Sequence, residues 1–143
     1  MSVNDIFFQK LTLANLDALH VLDTACFEYP WTRQQLEEEL SHHHAHIFGC
    51  FQDQKLIAAA CVRFIGDAYW LMRIMVLPVF RGQSIASKIL ANVYCDIGEK
   101  ELWLEVASQN RSAIYLYTKE GFEIVHTRKK YYPNDDALVM VRK

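Results

Sequence analysis

Apolar residues recur along this chain with two different periods, and each change of period marks a change of element. The stretch "IFFQKLT" (residues 6–12) has the composition of a first strand. Leu16, Leu19, Leu22 and Cys26 then return at helical spacing on one face, and the aromatics and proline of "CFEYPW" bring that helix to an end. Thr32 is followed three residues later by Gln35, the signature of a capping box. A second short helix is therefore predicted through "RQQLEEEL", stopping at the histidine cluster "SHHHAH". Three strand-like runs come next, "HIFGCFQ", "LIAAACVRFI" and "AYWLMRIMV", separated only by "DQK" and "GD". Connections that short join antiparallel neighbours, which predicts a meander.

The stretch "VLPVFRGQSIASKIL" changes the pattern again. It begins as the end of a buried strand, breaks at Pro78 and passes through Arg81, Gly82, Gln83 and Ser84. It then becomes helical, with Ile85, Ile89, Val93 and Ile97 repeating every four residues. "LWLEVA" reads as a buried strand, and Asn110 caps a further helix that Gly121 terminates. Strand, helix, strand implies a parallel crossover. "FEIVHTRKKYY" and "DALVMVRK" form a final hairpin around "PNDD". The resulting order, β-α-α-β-β-β-α-β-α-β-β, is an α+β arrangement of about seven strands in a mixed, mostly antiparallel sheet flanked by four helices. No repeat, low-complexity segment or linker divides residues 1–143, so a single domain is expected.

At 143 residues the chain can bury a real core without disulfides or metal. Its 52% apolar and 22% charged residues exclude a disordered polypeptide. A formal charge of −2 and the lack of a long basic run remove the electrostatic footprint that nucleic acid requires. Cys26, Cys50, Cys61 and Cys95 show no paired spacing, and "MSVNDIFFQK" lacks the charged-then-apolar build of a secretion signal. Reduced, buried cysteines in a cytoplasmic protein are expected. No apolar run has the length to cross a bilayer, so no membrane role is assigned.

Two features invite chemistry. His42, His43, His44 and His46 raise the question of metal, but consecutive histidines on a helix diverge by about 100° each, so only His42 and His46 would share a face. With no evident carboxylate or cysteine partner, a solvated helix end is expected and no metal is assigned. The turn after the fourth strand is the second feature. Its backbone N–H groups and those of the following helix converge beside the positive end of the helix dipole, a place suited to an anion. On its own, the turn has too little glycine to separate an anion site from an ordinary strand-to-helix connection.

The element order together with this turn resembles the GNAT acetyltransferase fold. In that family the turn follows the pattern Arg/Gln-x-x-Gly-x-Gly/Ala, and its N–H groups hold the pyrophosphate of acetyl-coenzyme A. Arg81, Gly82, Gln83, Ser84, Ile85 and Ala86 occupy those six places, with Ser87 next in the helix. "YPWT", "LWLEV", "YLYTKEGF" and "RKKYYP" further resemble the bacterial ribosomal-protein N-alpha-acetyltransferases of the RimI type, and the likeness covers nearly the whole chain. The resemblance implies acetyl-CoA as co-substrate, no metal, and the N-terminus of a protein as acceptor, a small ribosomal-subunit protein in particular. It also implies a fourth strand that splays from the fifth, with Ile74, Met75 and Val76 holding the pantetheine arm and thioester. Asn110 would touch the coenzyme as well as cap its helix, and Tyr29, Pro30, Trp31, Tyr131 and Tyr132 would flank the acceptor.

Ser84 departs from the family pattern, which has glycine there. A Cβ intrudes on the space through which phosphate approaches bare backbone. The serine fits if it already belongs to the first helical turn, with negative φ, and its hydroxyl can then donate to a phosphate oxygen. Strand alternation puts Trp103, Glu105 and Ala107 on one face and Leu102, Leu104 and Val106 on the other. A carboxylate in a central strand must be solvated or paired, so Glu105 is open to a structural and a catalytic reading. The resemblance implies a general base. Tyr117 either packs in the core or, as the resemblance implies, is the general acid for the departing thiolate. Tyr115, about 200° round the helix axis, does not share that role. The acceptor-side aromatics have the alternative of packing beside their turns. An enzyme of the same family for a lysine or small amine, or a non-catalytic coenzyme-binding domain, are the other readings.

Overall fold

A computed structural model describes residues 5–143. Residues 1–4, the start of the segment read above against a secretion signal, lie outside the described residues. The elements follow the expected order: β1 (Ile6–Lys10), α1 (Leu16–Cys26), α2 (Arg33–Ser41), β2 (Ala45–Gln52), β3 (Lys55–Ile65), β4 (Ala68–Val76), α3 (Ile85–Ile97), β5 (Leu102–Ala107), α4 (Arg111–Lys119), β6 (Glu123–Tyr132) and β7 (Asp135–Arg142). Short 3-10 turns at Leu13–Asn15 and Pro78–Phe80 add to what the periodicity indicated.

Local signals in the sequence account for the helix ends. Thr32 Oγ1 accepts from the Gln35 N–H at 3.1 Å while Gln35 Oε1 accepts from the Thr32 N–H at 2.8 Å, so the capping box starts α2. Asn110 Oδ1 accepts from the Ala113 N–H at 3.3 Å at the head of α4, and Gly121, with φ of +95°, turns the chain out of it. The histidine cluster falls outside the helix. His42 caps α2, its Nδ1 accepts from the His44 N–H at 3.1 Å, and His46 lies in β2. His42 and His46 therefore share no helix face, and no group of three or more His, Cys, Asp or Glu among the described residues could hold a metal ion.

The strands form one sheet in the order β1-β2-β3-β4-β5-β7-β6, with β4 and β5 parallel and the other neighbours antiparallel. Central β3 is buried on both faces, which is why it reads as a continuous apolar run. Ala58, Ala60 and Val62 face the core under α3, where Ile89, Leu90 and Val93 are fully buried. Ala59 and Cys61 face the opposite core with Leu19, Leu22 and Leu36 of α1 and α2. Cys95 corrects the expectation of buried thiols: it is exposed, and Cys26 is only half-buried. Cys95 lies two residues, about 200°, from buried Val93, on the outward side of α3. No helix among the described residues is long and apolar enough to cross a membrane.

Register shifts interrupt the β2–β3, β3–β4 and β6–β7 pairings. The register of β4 against β3 shifts between Leu71 and Arg73, leaving Met72 as an extra, exposed residue, and bulges of this kind bend a strand. β4 pairs with β5 only at Tyr69↔Leu102 and Trp70↔Trp103. Beyond that point the two parallel strands part, and among the described residues the β5-facing edge of residues 71–76 has no strand partner. At the outer edge, β6 shifts register against β7 twice, and Lys130 within it has φ of +54°.

Gly49 of β2 tests the packing on the α1 side. A Cβ built there would lie 2.5 Å from Leu11 Cδ2 and 3.0 Å from Leu56 Cδ1, both in the buried core. Gly49→Ala is expected to destabilise the fold by about 1–3 kcal/mol through overpacking, as read from chemical denaturation.

Candidate active site

Two adjoining cavities of about 380 and 280 Å³ make one cleft at the C-terminal end of β4, between α3 and α4. They share Val76, Arg81, Ala86, Ser112 and Leu116 as walls. The larger takes Gly82, Ser84, Ile85 and Ser87 from the turn and helix start, with Tyr115 and Lys119 from α4. Ile74 and Met75 of β4 line the smaller one, as do Asn110, Cys26 and Phe27. Of the residues assigned to coenzyme from the sequence, only Gln83 lies outside these walls. The cleft opens where β4 has left β5.

The turn carries two left-handed residues, Gly82 at φ +79° and Ser84 at φ +63°. A Cβ on Gly82 would meet nothing within 4 Å, so glycine serves its backbone angle there and not a close contact. Ser84 overturns the expectation of a negative φ: it is the residue before α3, not part of its first turn. A left-handed non-glycine residue costs about 1–2 kcal/mol, because its Cβ crowds the following carbonyl. The Ser84 hydroxyl makes no capping bond to α3, which leaves it free to face the cleft's contents. Arg81 Nε donates to the Val76 carbonyl at 3.0 Å, and Cys26 Sγ donates to the same oxygen at 3.4 Å. With Lys119, Arg81 places two cations beside the free N–H groups of α3, the electrostatics an anionic ligand needs.

Residues 16–122 match the Acetyltransferase (GNAT) family. This chain belongs to the GNAT acetyltransferase family. A [ribosomal protein bS18]-alanine N-acetyltransferase of Escherichia coli is 27% identical over 138 residues, 92% of this chain and 93% of that protein. The crystal structure of the ribosomal-protein-S18-alanine N-acetyltransferase from Escherichia coli has a TM-score of 0.88 to this fold, at 26% identity, covering 96% of this chain and 93% of that one. An uncharacterized protein of Mycobacterium leprae is 29% identical across 96% of this chain, which spans 41% of that relative's length.

In this acetyltransferase Glu105 is half-buried on β5 and paired with Arg128 of β6, Oε1 to Nη1, at 3.1 Å. Arg128 reaches across the intervening strand β7 to make that bond. Its guanidinium also lies 5.6 Å from the ring centre of Tyr131, which meets Tyr132 edge-on at 5.1 Å. Burial, followed by the charge of Glu105, pushes the Tyr132 hydroxyl above its ordinary pKa, so this tyrosine lies within the field of the carboxylate. Tyr117 stands one turn beyond the cleft residue Ala113 on α4 and packs against Phe122 at 5.6 Å. Burial pushes its hydroxyl up to about 12. Tyr115 is 72% exposed and lines the cleft near the turn. Neither Glu105, Tyr117 nor the aromatics Tyr29, Pro30, Trp31, Tyr131 and Tyr132 line the two cavities.

Sequence reasoning missed the residues that hold the α1–α2 loop. Asp23, fully buried, bonds Arg73 of β4 at 2.6 Å (Oδ1 to Nε) and 3.0 Å (Oδ2 to Nη2), and accepts the Trp31 N–H at 2.7 Å. The available signal was an acid beside the apolar stripe of α1 and a lone arginine inside an apolar strand, two opposite charges that burial would force together.

Ser84→Gly removes the left-handed strain but adds chain entropy to the unfolded state, which returns about 0.5–1 kcal/mol of the gain. A net rise in melting temperature of roughly 1–3 °C is expected, measured by thermal denaturation. Coenzyme affinity, read by calorimetry, should be equal or tighter.

Proposed function

We propose that this protein is an acetyl-CoA-dependent N-alpha-acetyltransferase that transfers acetyl directly to the N-terminal amine of a protein in the cytoplasm, with a small ribosomal-subunit protein as the candidate acceptor. The observation that carries the reading is the cleft beneath the parted β4 and β5 strands. It joins an anion-suited turn to an open strand edge, the two things a phosphorylated pantetheine thioester needs. The named bacterial relative, alike over 92% of this chain, supports the choice of an N-terminal amine over other acceptors.

In this mechanism the turn 81–87 holds the pyrophosphate, with Arg81, Lys119 and the Ser84 hydroxyl supplementing its backbone N–H groups. Ile74, Met75 and Val76 hold the thioester in line through the strand edge that β5 has vacated. No covalent enzyme intermediate is required, since alignment converts the encounter of amine and thioester into an intramolecular one. The neutral amine attacks the thioester carbonyl carbon, forming the C–N bond. Its surplus proton passes to Glu105 through water. An alpha-amino group titrates near 7.7–8.0, so a substantial share is already neutral at physiological pH and the base has modest work to do. Glu105 is held by Arg128 before the acceptor arrives, and the exposed arginine can yield it as the ammonium approaches.

Collapse of the tetrahedral intermediate breaks the C–S bond. The coenzyme thiolate leaves with the electron pair, toward the Tyr117 hydroxyl. With that hydroxyl raised to about 12 and a thiol near 8.5, complete proton transfer is uphill, so Tyr117 serves as a hydrogen-bond donor to the thiolate and solvent supplies the proton. The raised value also has a stability consequence. The fold favours the neutral phenol, so this contribution is complete below about pH 10 and is lost as the pH rises through about 12.

Three measurements test the reading. Incubation with acetyl-CoA and a panel of peptides with free N-termini, blocked lysine peptides and small amines should give one acetyl group on free N-termini, read by mass; transfer confined to lysine or small amines would overturn it. Glu105→Gln and Tyr117→Phe should each lower kcat by roughly 100-fold while leaving coenzyme affinity within twofold. The alkaline side of the kcat profile should be flat from pH 8 to about 10 and show the same shape in Tyr117→Phe, because the wild-type hydroxyl titrates well above that range.

A further inference from the structure

The loop between α1 and α2, residues 27–32, presents Tyr29 at 83% exposure beside the end of the cleft that Cys26 and Phe27 line. Within it, residues 28–30 make no hydrogen bond to the rest of the described residues. The loop's ends are held by the Phe27 N–H on the Asp23 carbonyl and by the Thr32 capping box, and one cluster ties its middle to β4. The Trp31 N–H ends on Asp23 Oδ2, and the Arg73 guanidinium lies 3.7 Å from the Phe27 ring centre and 4.5 Å from that of Trp31. The same guanidinium forks onto both oxygens of Asp23. Arg73 itself follows the Met72 bulge and precedes Ile74, Met75 and Val76, so the cluster joins the loop to β4 at the point where the strand turns away from β5.

A buried ion pair is a poor device for stability alone, since well-packed apolar residues of similar volume do as well or better. It gives direction instead. A planar guanidinium that is forked onto a carboxylate and lies over two aromatic rings restricts the orientation of its neighbours more than apolar packing would. Asp23 is neutralised by Arg73 and sealed from solvent, so its carboxylate is not available to touch a substrate.

We propose that Asp23 and Arg73 are positioning residues that fix residues 28–32 of this loop beside the end of the cleft that Cys26 and Phe27 line, and thereby govern binding of the acceptor and not of the coenzyme. This inference rests on the reading of the loop as an acceptor surface, and its test separates the two. The informative variant is the double substitution Asp23→Leu with Arg73→Met, which keeps an apolar core and should melt within a few degrees of the wild type or above it. Arg73→Lys, which keeps the charge and loses the fork, accompanies it.

In the double variant, exchange of the Trp31 and Thr32 amides, which carry hydrogen bonds in this loop, should be at least tenfold faster than in the wild type, with exchange in β3 unchanged. Its KM for a free-N-terminus peptide should rise at least tenfold while the coenzyme dissociation constant stays within twofold, and Arg73→Lys should fall between the two proteins. Unchanged loop exchange in a folded double variant overturns the pinning. Faster exchange with an unchanged acceptor KM, or equal losses for acceptor and coenzyme, overturns the role in acceptor binding. If the wild type acetylates no free N-terminus, the functional reading fails, and the exchange measurement still decides whether the cluster pins the loop.

Discussion

A strand cannot hydrogen-bond to two neighbours and also offer an edge to a ligand, and the architecture of this protein follows from how β4 resolves that conflict. β4 pairs with β3 from end to end but with β5 for only two residue pairs. The extra residue at Met72 bends it away, and the cleft opens in the resulting gap. The break at Pro78 and the left-handed Gly82 then turn the chain so that α3 begins directly over the opening. Backbone N–H groups at the head of α3 and unpaired groups on the edge of β4 thus come to lie along one cleft. A flat, fully paired sheet of the same residues would have neither.

Charge is used sparingly inside this molecule and in pairs. Asp23 with Arg73, Glu39 with Arg63 (Nε to Oε2 at 3.2 Å) and Glu105 with Arg128 all lie between a helix or outer strand and the body of the sheet. Two of these pairs tie α1 and α2 to β4 and β3. The third is more exposed and spans β7 to reach the carboxylate on β5. The gradation matters: a sealed pair holds geometry, and a half-open one can be exchanged for another cation without exposing an orphaned charge.

Much of this was written locally in the chain. The helix of residues 33–41 was legible because Thr32 and Gln35 cap it by neighbour contacts, and α3 because a four-residue apolar repeat admits only one face. The resemblance pointed to the turn at residues 81–86, of which Arg81, Gly82, Ser84, Ile85 and Ala86 line the cleft and Gln83 does not, whereas the walls that Cys26, Tyr115 and Lys119 supply carry no such motif. What escaped depends on distance. The backbone angle of Ser84 is set by where α3 docks on the sheet, not by its neighbours in sequence. The Asp23–Arg73 bond joins residues fifty positions apart, and the Glu105–Arg128 pair depends on β7 lying between β5 and β6, an order the hairpin pattern does not reveal. The exposure of Cys95 was readable in principle from its angle to Val93, since it needs only the helical wheel.

The outer strand β6 has a consequence beyond the chemistry. An unpaired strand edge is a template for other polypeptides, and this one carries exposed Ile124 and Val125. Yet its two register shifts and the left-handed Lys130 keep it from presenting a straight row of donors and acceptors, and Arg128, Lys129 and Lys130 load it with positive charge. A second chain approaching to extend the sheet meets a kinked, cationic border. Edge-to-edge stacking into fibrils is discouraged there, and the irregularity that shapes the "RKKYYP" arm also guards the molecule against its own kind.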